Sequence, residues 1–183
     1  MIRPLPGILC CALLVAALGV GEVRAGAAER KAPTARIGLG TGYQPPPFSA
    51  RDLKGTVHAV ADDYKNHILV LHFWASWCPY CRGEIPELKE LQLQWASRDV
   101  RVVTVSTDED LEGLKQFVER EGLPYPVIAD LQADESIAEQ YGVSGIPVTY
   151  VIAKDGRLFA RINGRGEIIA AVERALQSST PSE

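Results

Sequence analysis

The chain has 183 residues, 46% of them hydrophobic and 23% charged, with a formal net charge of −4. That is material for one globular domain of moderate size. The acidic balance and the absence of a basic cluster exclude an ordinary nucleic-acid partner.

Residues 1–25 begin with Met1-Ile2-Arg3 and continue as an uncharged apolar run from Leu5 to Val20, ending at Val23-Arg24-Ala25. This reads as a secretory signal peptide cleaved near Ala25, with cuts after Ala27 or Ala28 as variants. The competing reading is an uncleaved N-terminal anchor, for which the run falls short of the roughly 20 residues that span a bilayer. Cys10 and Cys11 sit inside the run as apolar filler. Residues 26–46 carry Gly38, Gly40, Gly42 and the start of Pro45-Pro46-Pro47, a composition expected for an exposed, poorly ordered lead-in. The glycines lack the flanking strand and helix of a phosphate loop, so a linker is expected.

From residue 47 to 178 strands and helices alternate. Val57 to Val60 reads as a short strand and Asp62 to Asn66 as a turn. Ile68 to Trp74 is nearly all apolar, the pattern of a central strand covered on both faces. A helix is expected from about Cys78 to Ser97, kinked at Pro86, with Ile85, Leu88, Leu91, Leu93 and Trp95 on its apolar stripe. Val100 to Ser106 is a second buried strand, and Leu111 to Glu121 a helix closed by Gly122. Asp134 to Tyr141 reads as a short helix. Val148 to Ile152 and Leu158 to Ile162 flank the hairpin signal Lys154-Asp155-Gly156, and Glu167 to Gln177 is a final amphipathic helix. Residues 179–183 form a tail. The order implies an α/β domain with a central mixed β-sheet and helices on both faces.

The chemistry concentrates in Trp74-Ala75-Ser76-Trp77-Cys78-Pro79-Tyr80-Cys81-Arg82-Gly83-Glu84-Ile85-Pro86. Two cysteines three apart open a helix directly after a buried strand. The positive end of a helix stabilises a thiolate, and a thiolate is what attacks a disulfide. Removal of the leader leaves Cys78 and Cys81 as the only cysteines, so no structural disulfide framework competes for them. Haem attachment would need His where Arg82 stands. A zinc site would need close further ligands, and His58, His67 and His72 are scattered. No metal is expected.

These residues, with Gly145-Ile146-Pro147-Val148-Thr149-Tyr150 and the following Lys154-Asp155-Gly156 turn, resemble the TlpA/ResA/DsbE group of exported thioredoxin-like proteins over about Pro47 to Leu176. The resemblance implies a thioredoxin-like fold, a redox-active disulfide as the sole redox group with no cofactor, and a cis peptide at Pro147. It implies Cys78 as exposed nucleophile and Cys81 as resolving thiol. Glu84 is then an acid assisting proton transfer at Cys81, the plainer alternative being a first-turn glutamate facing the helix dipole. Trp77, Pro79, Tyr80, Ile146 and Pro147 are the expected client-contact residues. His72 takes a strand position where many thioredoxins carry a buried acid; it is read as a satisfied core histidine, with a proton relay as the alternative. His58 and His67 are expected at the surface.

The resemblance further implies a periplasmic or extracytoplasmic location, possible N-terminal anchoring, and a monomer. Its partners would be a membrane thiol reductase as electron donor and a client with a cysteine pair, such as apocytochrome c or a copper-site assembly protein. Two other functions fit the same residues. One is a general oxidant or isomerase of secreted proteins, which usually has an enlarged peptide-binding surface. The other is a Cu(I) metallochaperone using the two soft thiolates.

Overall fold

The computed structural model describes residues 37–60, 62–164 and 166–178. The expected signal segment and the C-terminal tail lie outside these residues. A short antiparallel hairpin, β1 (Ser49–Arg51) and β2 (Val57–Ala59), precedes the main sheet. The central strand β3 (Ile68–Trp74) is buried along its whole length. It pairs in parallel with β4 (Val100–Ser106), and β4 in turn with β5 (Val127–Ala129). On its other side it pairs antiparallel with β6 (Val148–Ile152), which pairs with β7 (Leu158–Asn163). The sheet order is β5-β4-β3-β6-β7.

Five helices connect and cover these strands: α1 (Pro79–Arg82), α2 (Ile85–Gln94), α3 (Leu111–Glu121), α4 (Ile137–Gln140) and α5 (Ile168–Ser178). Alternation along β3 divides the core between the two faces of the sheet. Ile68, Val70 and Trp74 pack with Leu88 and Leu91 of α2, Phe117 of α3 and Val172 of α5. Leu69, Leu71 and Phe73 pack with Ile137 and Tyr141 of α4. Helices therefore cover both faces, as the sequence pattern required. On the α4 side Phe73, Tyr141 and Tyr150 form a ring cluster with centroids 5.2–5.8 Å apart. The Tyr150 hydroxyl donates to the Tyr141 carbonyl at 2.5 Å and accepts from Arg161 Nε at 2.8 Å.

Local chemistry sets the helix ends. Asp110 caps α3 by accepting from the amides of Glu112 and Gly113, and Gly122 closes it in the left-handed region at φ 57°. The expected long helix after Cys78 is two helices. Pro86 has no amide hydrogen to return to the Arg82 carbonyl, so the chain breaks at Gly83-Glu84 and restarts with Pro86 in the first turn of α2. The second helix stops at Gln94, short of Ser97. Leu93 is 67% exposed and not on the buried stripe. It lies two residues from Leu91, about 200° around the helix, so both cannot face inward.

Asp134 and Glu135 stay outside α4. The Asp130 carboxylate accepts from the amides of Ile137 and Ala138, and Ser136 caps the helix there. The strands β1 and β5 have three residues each, too short to announce themselves by alternation. The lead-in also departs from expectation over its described part, 37–46. Gly42 N donates to the Leu158 carbonyl, Leu158 N donates back to Tyr43, and the Tyr141 hydroxyl donates to Pro46. His58 is half-buried instead of at the surface, with Nε2 3.0 Å from Asp52 Oδ2 and Nδ1 2.7 Å from the Tyr64 hydroxyl.

Candidate active site at the Cys78–Cys81 turn

β3 delivers the chain to the turn, and five hydrogen bonds hold it there. Thr107 N donates to the Trp74 carbonyl at 2.8 Å, and Cys78 N donates to the Ala75 carbonyl at 3.2 Å. The Asp108 carboxylate accepts from Ser76 N at 2.9 Å, from Ser76 Oγ at 2.6 Å and from Ser106 Oγ at 2.5 Å. Asp108 is 4% exposed, so these charge-assisted bonds are made out of water. Sequence reading missed it. Its one local signal is an acid two residues past the end of a buried strand; its partner Ser76 lies 32 residues away.

Cys78 stands just ahead of α1 in extended conformation, φ −83° and ψ 112°, with Pro79 as the first helical residue. Pro suits that position because the first helical amides have no intrahelical acceptor. Cys78 and Cys81 are joined in a disulfide with Cα atoms 5.3 Å apart. The Cys81 amide donates to Cys78 Sγ at 3.2 Å, a donor aimed where thiolate charge would form. The expectation of an exposed Cys78 needs correction for this oxidised form. With the disulfide formed, Cys78 is 4% exposed and Cys81 fully buried, both packed in the core cluster with Trp74 and Ile85. Trp77, directly before the pair, and Tyr80, between the two cysteines, are 66% and 68% exposed.

The Ile146–Pro147 peptide is cis. Val148 pairs with Phe73, so β6 starts where β3 ends, and topology brings Ile146-Pro147 to the cysteine end of the sheet. Ile146 packs against the cluster that contains both cysteines.

On the same face of the sheet as the cysteines lies a buried polar group of three residues. Glu84, in the break between α1 and α2, is 2% exposed and makes no side-chain cap. Its amide donates to the Cys81 carbonyl at 3.0 Å, and its Oε1 accepts from Gly166 N at 3.2 Å. It is thus turned inward, not spent on a helix end. Its Oε2 lies 3.9 Å from His72 Nε2, and His72 Nδ1 is 2.9 Å from Thr149 Oγ1. Burial pushes the His72 pKa down to about 3, so the imidazole is neutral. The contact is therefore a neutral ring facing a carboxyl group and not an ion pair.

A mixed sheet of this order, with a Cys-x-x-Cys disulfide opening the helix after its central strand, defines a thioredoxin-like protein built for thiol–disulfide exchange. The AhpC/TSA family model matches residues 41–161, and the chain belongs to that family. It is 32% identical over 131 residues to the thiol-disulfide oxidoreductase ResA of Geobacillus thermodenitrificans, covering 72% of this chain and 74% of that one. A thiol:disulfide interchange protein of the thioredoxin family from Chlorobium tepidum superposes with a TM-score of 0.64 at 27% identity, over 73% of this chain and 95% of that one. StoA from Bacillus subtilis, at 22% identity and a TM-score of 0.60, shares the fold over 74% of this chain and 98% of that one. The chain is an enzyme of the ResA/DsbE-like class, a thiol–disulfide oxidoreductase.

Proposed function

We propose that this enzyme works outside the cytoplasm as a reductase of specific client disulfides, in the assembly of c-type cytochromes or of a copper centre. In the cycle the Cys78 thiolate attacks one sulfur of the client disulfide. A Cys78–client mixed disulfide forms and the first client thiolate leaves. Glu84 takes the proton of Cys81, and the Cys81 thiolate attacks Cys78 Sγ. The second client thiolate leaves, and the product is the Cys78–Cys81 disulfide seen here. Two electrons have passed to the client. A membrane thiol reductase supplies two new electrons that reduce Cys78–Cys81 again, so the disulfide needs no further cofactor. Trp77, Pro79, Tyr80, Ile146 and Pro147 contact the client around the sulfurs, and one monomer carries the whole cycle. The leader-like residues 1–25 support export, with cleavage or anchoring as its two forms.

The observation that supports the reducing direction is the buried Glu84 carboxyl three residues after Cys81. A negative charge out of water opposes a nearby thiolate and raises thiol pKa values. Strong oxidants of this chemistry stabilise their reduced thiolate form, and a buried acid does the reverse. The test is the reduction potential of Cys78–Cys81, read by equilibration in defined thiol buffers with alkylation of free thiols. The expected value lies below the glutathione pool, under about −260 mV. A value above about −180 mV, in the range of oxidants and isomerases, refutes the proposal.

A further inference from the structure

His72 is a buried ionisable side chain on a face of β3 otherwise made by Ile68, Val70 and Trp74, and packing alone does not explain it. Alternation sets it between Val70 and Trp74, on the face that carries the cysteines, α2 and α5. A valine or isoleucine there would fill the core without desolvating two ring nitrogens. One nitrogen is satisfied: Nδ1 meets the hydroxyl of Thr149, its register partner on β6. The other, Nε2, has no hydrogen-bond partner among the described residues and faces Glu84 Oε2 at 3.9 Å.

We propose that His72 is the positioning residue for Glu84: the Thr149 hydroxyl fixes its ring, and its Nε2–H holds the carboxyl in the ionised form that accepts the Cys81 proton. The inference rests on the reductase cycle above. A carboxylate oxygen only accepts, so the ring proton belongs on Nε2, facing Glu84, and Nδ1 accepts from Thr149. Closing the gap by about 1 Å makes a hydrogen bond, and such contacts commonly tighten only when the reacting state is reached. The Gly166 amide already serves the other oxygen. The two N–H groups together oppose the tendency of a buried carboxyl to stay protonated. The groups bearing on the pair are few. β4 offers Thr104 in register with His72, and β6 offers Thr149, both uncharged. The helical side supplies Cys78, Cys81 and Glu84 itself, and the β7–α5 connection supplies the Gly166 amide.

The resolving step isolates this role. Reduced protein mixed with an aromatic disulfide releases one coloured thiolate on attack by Cys78. It releases a second when Cys81 displaces the first-formed adduct, and stopped-flow absorbance separates the two. In His72→Leu the acid limb of the second phase is expected to move up by about one pH unit. His72→Gln, whose amide N–H reaches the same region, keeps the wild-type midpoint. On a Glu84→Gln background His72→Leu produces no further shift. Thr149→Val, which keeps the ring and removes its anchor, shifts the limb in the same direction as His72→Leu.

If Glu84→Gln alters the second phase while His72→Leu changes only thermal stability, the inference is overturned and the reductase cycle stands. If neither variant moves the limb and the potential is oxidising, both fail. A silent Thr149→Val beside an unfolded His72→Leu also overturns the inference.

Discussion

Replacing Asp108 tests how the turn before the cysteines is held. Its two carboxylate oxygens accept three hydrogen bonds: Oδ2 from Ser76 N and Ser106 Oγ, and Oδ1 from Ser76 Oγ. A hydrogen bond to a charged group contributes roughly 1.5–3 kcal/mol, and bonds sharing one acceptor group do not add in full. Asp108→Ala strands a backbone amide and two hydroxyls together and is expected to cost about 3–5 kcal/mol. With a urea slope of about 2 kcal/mol/M, the unfolding midpoint of the oxidised protein falls by about 1.5–2.5 M at unchanged slope. Asp108→Asn is the control. Its carbonyl can take the Oδ2 place and keep two bonds, while its NH2 can donate to the Ser76 hydroxyl, so about 1–2 kcal/mol is lost with the charge. An Asp108→Ala variant within about 1 kcal/mol of wild type, or equal to Asp108→Asn, would refute this account of the turn.

Cys78→Ala is expected to abolish disulfide exchange, and Cys81→Ala to accumulate a covalent Cys78–client adduct visible by mass; an adduct with the first variant would reverse the assigned roles. Tyr150→Phe keeps the ring against Phe73 and Tyr141 but loses the bond to the Tyr141 carbonyl and the one from Arg161. It is expected to cost about 1–2 kcal/mol by chemical denaturation, and no loss would mean the freed carbonyl finds another donor. His72 also gives stability a pH dependence. The unfolded chain protonates it near the ordinary value of 6.5, the folded chain only near about 3. Between those values the unfolded state alone gains a proton, so the His72 contribution erodes as pH falls from 6.5 toward 3. His72→Gln should unfold with a shallower dependence between about pH 7 and pH 5, and identical slopes would show that the ring is protonated in the fold.

What could be read from the sequence followed how local its physics was. Ile68–Trp74 was legible to the residue because a strand buried on both faces is a nearly unbroken apolar run, and Val100–Ser106 because its four valines mark a buried strand even with Arg101, Thr104 and Ser106 among them. The Leu111–Glu121 helix was legible because its Asp110 cap and Gly122 stop adjoin it in sequence. The Cys78–Cys81 disulfide and the cis bond at Pro147 were legible from short motifs. The split at Gly83-Glu84 was visible only as a kink, since Pro86 marks a lost bond without saying whether the helix bends or restarts. The described part of the lead-in, 37–46, misled because composition is blind to partners such as Leu158 and Tyr141, far along the chain. Asp108 was hidden for the same reason, and so were the contacts that join Glu84 and His72, both singled out from the sequence, to each other and to Thr149. Ser76 and Asp108, His72 and Thr149, and His72 and Glu84 are each at least 12 positions apart, brought together by a tertiary arrangement that no motif announces.

That same lead-in and the hairpin after it have a second effect, at the margins of the sheet. The outer strands β5 and β7 would each present unpaired backbone to solvent, a template on which another chain can add. Gly42 and Tyr43 exchange backbone bonds with Leu158 at the start of β7, and the Arg157 side chain donates to the Gly42 carbonyl. On the far margin Leu53 N donates to the Val127 carbonyl, and Asp52 bridges to Ile128 of β5. One stretch of a dozen residues thus straps both rims of a five-stranded sheet. A fragment trimmed to begin at β3 would keep its cysteines yet bare both rims, and self-association through strand addition would follow.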